Sequence, residues 1–374
     1  MTMTGEATLG ANNQRLNLTL AGRSVELPAL WLRERAPNAE TLDPLTGQRL
    51  IEAAELPLDL RIESAEWDHG QLNLQFSDGC HALFAADELM SLLNPQADSR
   101  PVLWDATLAT LPQADFQTAL IDNQALLEML EQLHLMGFVL VSGVPTEADG
   151  MQPLVDRIGP LRRTNWGGIA DVKSVPDAYD LTMTQRGLEP HSDNPYRDPI
   201  PGYIWLHCLT NAASSGDSTL VDGYRAAQCL KERDPAAFEC LTRVWPIFRY
   251  QDSDTFLQSE GPLIELDGRG EPTRIRFSNR TERVPALPAG ELESYYAARQ
   301  AFYSLITSDE LTLNLKLEPG QMLIMDNYRL LHGRKAFQLE GGVRHLRQGY
   351  VDRDSTTSRR MILRQQLAQQ ESAA

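Results

Sequence analysis

The sequence predicts a mainly β protein: a β-barrel or sandwich core flanked by helices, preceded by a small β-rich module. Three observations lead there. Short apolar stretches, alternating or continuous, recur along the chain; Gly, Pro, Asn or Asp turns bound most of them; and only a few segments show helical spacing. At 374 residues, 42% hydrophobic and 23% charged, the chain can bury a large core and has room for one large domain and a smaller one.

Residues 15–31 (RLNLTLAGRSVELPALW) alternate around an AGR turn and predict a hairpin. LRIESAEW, the DHG turn and QLNLQFSDGCHALF predict further paired strands, and DELMSLL a helix. These make a module over about 1–100, followed by a Pro-containing linker at about 95–112 (NPQADSRPVLWD). The larger part, 112–374, opens with QALLEMLEQLHLMG, whose apolar residues follow helical spacing up to Gly137. FVLVSG is then a buried strand, and a helix fits near 149–158. Residues 160–190 are polar and irregular, and a loop of that length inside a domain points to function. YIWLHCL (203–209) and STLVDG (218–223) predict strands, and 224–232 and 290–306 predict helices. LTLNLKLEPGQMLIMDN predicts two strands joined at a Pro-Gly turn, RHLRQGYVD one more, and 355–370 a terminal helix.

The charge balance, 34 Lys+Arg against 51 Asp+Glu or −17, disfavours nucleic acid and anionic membranes as partners. No apolar run is long enough to span a bilayer, and the N-terminus does not read as a signal peptide. Cys80, Cys208, Cys229 and Cys240 are scattered, which suits a reducing cytoplasm.

HSDNPYRD places His191 and Asp193 at i and i+2, a spacing that in a strand turns both side chains to one face. His332, 141 residues later and just beyond a strand, completes two imidazoles and one carboxylate. That set is the facial triad of non-haem Fe(II) oxygenases. Among seven histidines an H-x-D pair alone is a weak signal. Two further elements sharpen it. Arg344, twelve residues after His332, opens a strand and has the fork geometry to hold a dicarboxylate, with a structural ion pair as its alternative. Ser218, 27 residues after His191, offers a hydroxyl for the same task.

With these motifs in hand, the chain resembles the gamma-butyrobetaine and trimethyllysine dioxygenases of the taurine-dioxygenase-like group. The similarity runs nearly end to end, through WLRERAP, HSDNPY, PGYIWLHCL, GDSTLVDG, IRFSNRT, DNYRLLHGR and RHLRQGYVDRD. It implies a double-stranded β-helix (jelly-roll) core, Fe(II), 2-oxoglutarate, O2, hydroxylation of a small quaternary ammonium substrate, and a homodimer. His191, Asp193 and His332 match the iron ligands, and Arg344 and Ser218 the 2-oxoglutarate site. Tyr350 matches an aromatic wall of the trimethylammonium cage, and Trp166 falls near another, with packing as its alternative role. Tyr179 and Asp180 are further pocket candidates.

Two departures stand out. Relatives that bind zinc carry a cysteine cluster just after the motif that reads WLRERAP here. This stretch has no Cys, and Cys80 with His81 cannot close a tetrahedral site, so no structural zinc is expected. Second, Asn194, Tyr196 and Asn279 match anion-side positions, and Arg280 follows Asn279. A guanidinium beside amides and a phenol suits a tetrahedral anion, as in 2-trimethylaminoethylphosphonate dioxygenases. The expectation is hydroxylation of that phosphonate at C1, giving the 1-hydroxy product, succinate and CO2. Arg280 as a solvated surface residue is the alternative. It goes with gamma-butyrobetaine hydroxylation to carnitine as the nearest other function; a metal-binding β-barrel without catalysis is the alternative of another class.

Overall fold

A computed structural model gives the fold of residues 5–93, 98–173, 186–212, 217–336 and 343–373. Tyr179 and Asp180 lie outside these described residues. The chain divides into two compact units, Met1–Ser99 and Arg100–Ala374.

In the first unit, β1 (Gly5–Leu9), β2 (Arg15–Leu20) and β3 (Arg23–Pro28) form one antiparallel sheet, followed by the short α1 (Ala29–Arg33). β4 (Ile62–Asp68), β5 (Gln71–Phe76) and β6 (His81–Ala85) form a second, and α2 (Ala86–Leu93) ends the unit. Strict alternation buries Leu16, Leu18 and Leu20 with Leu72, Leu74 and Phe76. The tight turns at Ala21-Gly22 and His69-Gly70 have positive φ at both residues, which matches the twist of the flanking strands. Asn38 donates through Nδ2 to the Cys80 Sγ (3.4 Å) and the His81 carbonyl (2.7 Å), tying the loop after α1 to the start of β6.

The second unit begins earlier than expected. The stretch to 112, anticipated as a linker, packs into it: Trp104 is buried and donates through Nε1 to the Met136 carbonyl. The chain runs through β7 (Gln113–Asp115), α3 (Phe116–Ile121), α4 (Asn123–Met136), β8 (Phe138–Ser142), α5 (Gln152–Ile158), β9 (Ile169–Lys173), β10 (Leu188–His191), β11 (Tyr203–Asn211) and β12 (Ser218–Asp222). α6 (Gly223–Arg233), α7 (Pro235–Arg243), β13 (Ile247–Gln251), β14 (Phe256–Glu260), β15 (Ile264–Leu266), β16 (Pro272–Ile275), β17 (Glu282–Arg283) and α8 (Ala289–Ile306) follow. β18 (Leu313–Leu315), β19 (Met322–Asp326), β20 (Leu330–Arg334), β21 (Arg344–Val351) and α9 (Arg353–Ala373) complete it.

Two sheets face each other, with strand orders β7-β8-β19-β11-β21-β9 and β10-β20-β12-β18. Their inner faces meet in a core of Phe138, Ile204, Leu220, Leu323, Met325, Leu330 and Leu346. The outer face of the larger sheet packs on α3, α4, α5 and α9 through Val139, Trp205, Ile324 and Leu363. The outer face of the smaller one packs on α6, α7 and α8 through Val221 and Leu331. The two strands around Pro319-Gly320 exist as expected but do not pair with each other. β18 joins β12 and β19 joins β8 and β11, so the Pro-Gly segment crosses from one sheet to the other. This is a jelly-roll sandwich, and its interior carries the candidate site.

Candidate metal centre and substrate cavity

Strand alternation sets what faces the interior. On β20, Leu331 points outward to the helices, so Leu330, His332 and Arg334 point inward. On β21 the inward set is Arg344, Leu346, Gln348 and Tyr350. His332 is therefore a mid-strand residue, paired across from Leu220 and from His191 of β10, and not beyond the strand as anticipated.

His191 ends β10, and Asp193 sits in the loop after it, so strand geometry alone does not place the carboxylate. Asn327, buried in the turn between β19 and β20, does. Its Oδ1 accepts from the Asp193 N–H (2.7 Å), and its Nδ2 donates to the carbonyls of Asp193 (2.9 Å) and Pro201 (3.0 Å). That turn is anchored by Arg329, fully buried in a two-point ion pair with Asp222 (2.7 and 3.0 Å). Arg329 also donates to the carbonyls of Val102 (2.6 Å) and Leu135 (2.8 Å). Ser192, between the two ligand candidates, exchanges hydrogen bonds with Phe277: its N–H donates to the Phe277 carbonyl (2.8 Å), and its Oγ accepts from the Phe277 N–H (3.0 Å). This bond brings Asn279 and Arg280 beside the site.

His191 Nε2 lies 3.4 Å from Asp193 Oδ1, His332 Nε2 lies 3.7 Å from the same oxygen, and the imidazole centroids are 4.4 Å apart. Among the described residues this is the cluster of metal-ligating side chains, with ligand atoms within 4.8 Å of one another. Its donor set fits a cation. His191 Nδ1 is 2.9 Å from the Glu189 carbonyl, an acceptor, so the ring proton sits there and the Nε2 lone pair faces Asp193. Nε2 is buried and makes no hydrogen bond. Lone pairs converging on a carboxylate repel unless a positive ion lies between them. Burial and neighbouring His191 hold the His332 pKa down to about 4, which keeps the imidazole neutral and able to ligate. Burial alone would raise the Asp193 pKa, and the hydroxyl of Tyr350, which donates to the carboxylate, opposes it.

The second oxygen of Asp193 is also held. Tyr350 Oη (2.8 Å) and Gln348 Nε2 (2.6 Å) donate to Oδ2. Asn194, at φ 50°, donates through Nδ2 to Tyr350 Oη (2.9 Å) and accepts from Tyr196 Oη (2.5 Å). Tyr350, Asn194 and Tyr196 thus form one network behind the carboxylate. Tyr196 stacks on Tyr250 (5.2 Å), which meets Trp166 edge-on (5.4 Å). The Arg197 guanidinium lies 5.3 Å from the Trp166 ring, so this aromatic group already faces a cation.

Asn279 and Arg280 lie elsewhere. With His191, Leu188, Phe277, Arg299 and Tyr303 they line a cavity of about 260 Å³ open to solvent. The charge of Arg280 is felt at His332. Toward the other end of β20 and β21, Ser218 pairs across from Arg334, and Arg334 and Arg344 are both buried. Burial and the nearby Arg344 bring the Arg334 pKa down to about 10, as expected for two guanidiniums sharing a desolvated interior.

Sequence reasoning missed Asn327, Gln348, Arg334 and Arg299. Two had a legible signal, since Arg334 follows His332 and Gln348 precedes Tyr350 by two positions, on the inward face of their strands.

The Taurine catabolism dioxygenase TauD, TfdA family model matches residues 103–350, well over half of the chain. The chain belongs to this family. Residues 8–90 match the Gamma-butyrobetaine hydroxylase-like, N-terminal model. The gamma-butyrobetaine dioxygenase of Pseudomonas sp. (strain AK-1) is 33% identical over 352 residues, covering 91% of each chain. The human gamma-butyrobetaine dioxygenase is 31% identical, covering 91% of this chain and 92% of its own. Trimethyllysine dioxygenase of Mus musculus is 27% identical over 94% of this chain and 86% of its own. Among solved structures, AAD-2 in complex with Mn(II) and N-oxalylglycine superposes with a TM-score of 0.53 at 13% identity, covering 68% of this chain and 98% of that one. A putative alpha-ketoglutarate-dependent taurine dioxygenase from Burkholderia xenovorans gives 0.51 at 16%, covering 67% and 91%. Both share the fold. Among the described residues no helix of the dioxygenase is long and apolar enough to cross a membrane.

Proposed function

We propose that this iron- and 2-oxoglutarate-dependent dioxygenase hydroxylates a small quaternary ammonium compound with a tetrahedral anionic end, 2-trimethylaminoethylphosphonate, at C1. The observation that carries the proposal is Arg280 beside Asn279 in the cavity that His191 lines. A guanidinium and an amide offer several donors and a positive charge to one ligand, which suits the three oxygens and higher charge of a phosphonate.

His191, Asp193 and His332 would hold Fe(II), and Arg344 with Ser218 would hold the far carboxylate of 2-oxoglutarate, Arg334 adding a second buried cation nearby. Bound there, the metal and 2-oxoglutarate would let O2 turn a C–H into C–OH, one oxygen atom going to the hydroxyl and the other to succinate, with CO2 released. The chain's own residues position. Asn327 fixes the backbone of Asp193, while Gln348 and Tyr350 fix its carboxylate, leaving Oδ1 for the metal. Trp166 and Tyr250 would offer ring faces to a trimethylammonium group, which has no hydrogen to donate, in place of the Arg197 guanidinium that lies over Trp166. Asn279 and Arg280 draw the anion to the cavity wall near His191, so the carbon bearing it lies close to the metal. Asn194 and Tyr196 act behind the wall, through Tyr350.

Arg280→Ala tests the proposal. It is expected to raise KM for the phosphonate about tenfold or more and to change KM for gamma-butyrobetaine much less. Equal effects on both would remove the case for Arg280. Gamma-butyrobetaine hydroxylation to carnitine is the second reading, favoured by relatives above 30% identity that carry the name gamma-butyrobetaine dioxygenase. We also propose a cytoplasmic homodimer. Four buried free cysteines support a reducing compartment, and sedimentation equilibrium checks the dimer.

A further inference from the structure

α8 brings Arg299 to the cavity wall beside Asn279. Arg299 donates through Nε to both oxygens of Glu282 (3.1 and 3.0 Å) and through Nη2 to Asn279 Oδ1 (3.1 Å). Glu282 is 8% exposed and also accepts from the Tyr295 hydroxyl (2.6 Å). Tyr295 and Arg299, four residues apart on α8, lie on one helix face and converge on the same carboxylate. The guanidinium carbon lies 5.3 Å from the Phe277 ring centroid, so carboxylate and ring together fix the plane of the fork.

A carboxamide has one acceptor atom and one donor atom, and Arg has donors only. The side of Asn279 that meets Arg299 must therefore be its oxygen. The flipped amide would set NH2 against guanidinium, two donors facing each other. The nitrogen is left for the cavity that Asn279 lines. An unrestrained asparagine presents either end to a ligand; this one presents donors.

We infer that Arg299 is a positioning residue for substrate recognition. Locked by Glu282 and Tyr295, it orients the Asn279 amide so that the cavity wall offers N–H groups to an anion. The charge of Arg299 is matched by Glu282, so its part is orientation, while Arg280 contributes the cation. This inference rests on the proposal that the cavity binds the anionic end of the substrate.

The test is calorimetric binding to the Fe(II)- and 2-oxoglutarate-loaded protein under argon, with 2-trimethylaminoethylphosphonate and inorganic phosphate as probes. Arg299→Lys keeps a cation for Glu282, but a point donor cannot hold a carboxylate and an amide together. It is expected to keep its melting temperature and to bind the phosphonate about tenfold more weakly. Under turnover it raises KM by a similar factor with kcat within about twofold, since positioning of the anion is lost and the metal site is untouched. Asn279→Ala is expected to lose a similar factor. Arg299→Lys added to Asn279→Ala is expected to lose nothing more, because Arg299 acts through that amide. A trimethylammonium alcohol without an anion is expected to bind all four proteins alike. Wild-type affinity in Arg299→Lys, or the same loss on the Asn279→Ala background, overturns the role of Arg299 and leaves the substrate proposal standing. A wild-type protein that binds neither probe sinks both.

Discussion

The metal end and the substrate end of the interior are built in different ways. His191, Asp193 and His332 sit on or next to core strands and are tied by Asn327, Gln348, Tyr350 and the buried Arg329–Asp222 pair. Asn279 and Arg280 are exposed residues in the long excursion between β12 and β18, reached through one exchange of hydrogen bonds at Ser192 and held by α8. The difference teaches where change is tolerated. A metal triad needs its ligand atoms within a few tenths of an ångström, so the sandwich core carries it. The wall proposed to choose the substrate lies on the excursion, where it can be altered without disturbing that core.

The largest expected effect breaks the metal side. His191→Ala is expected to abolish turnover and to lower iron stoichiometry, checked by succinate release and metal analysis. Full activity with stoichiometric iron would sink the triad. Next comes Arg329→Met, which strips Asp222 of its partner in a fully buried pair. It is expected to cost about 3–5 kcal/mol of unfolding free energy in urea. A loss near zero would mean that the turn carrying Asn327 is held by something else. Asn327→Ala is a finer cut. It leaves the ligands in place but frees the backbone of Asp193, and a 10- to 100-fold loss of Mn(II) affinity is expected, in the range of about 10–100-fold for such outer partners. Cavity substitutions such as Arg280→Ala are expected to leave Mn(II) affinity unchanged, and that contrast is the comparison in measurable form.

The smallest effect concerns acid stability. His207 on β11 is buried, and neither ring nitrogen makes a hydrogen bond. Burial, with Arg347 nearby, lowers its pKa from 6.5 to about 4. The unfolded chain therefore takes up this proton before the folded one does. Stability is full above about pH 6.5 and drains as the pH falls toward 4. His207→Leu is expected to flatten the melting temperature against pH over that window. His332 shifts in the same direction, so some slope persists in metal-free protein.

Much of this was legible in the sequence, for physical reasons. Strands with a buried face declare themselves by alternation, as in RLNLTL and QLNLQF, and the ligand residues are chemically conspicuous. What escaped were relations across the fold. β18 and β19 read as neighbours, yet each finds its partners in a different sheet, and local pattern says nothing about which sheet a strand joins. Asn194 and Tyr196 were anticipated on the anion, but their polar atoms bond each other and Tyr350, a meeting of residues 156 positions apart. Asn327 and Arg299 were invisible because each acts through another residue, and a sequence names side chains without naming what they hold.

The most direct test of the central claim is succinate production by the Fe(II)-loaded enzyme with 2-oxoglutarate, comparing 2-trimethylaminoethylphosphonate with gamma-butyrobetaine at equal concentrations. Strong preference for the phosphonate is the expected result, and it would support Asn279 and Arg280 as ligands of the anion. Preference for gamma-butyrobetaine would contradict it, leaving the fold and the triad intact and removing the case for Arg280 as a phosphonate ligand.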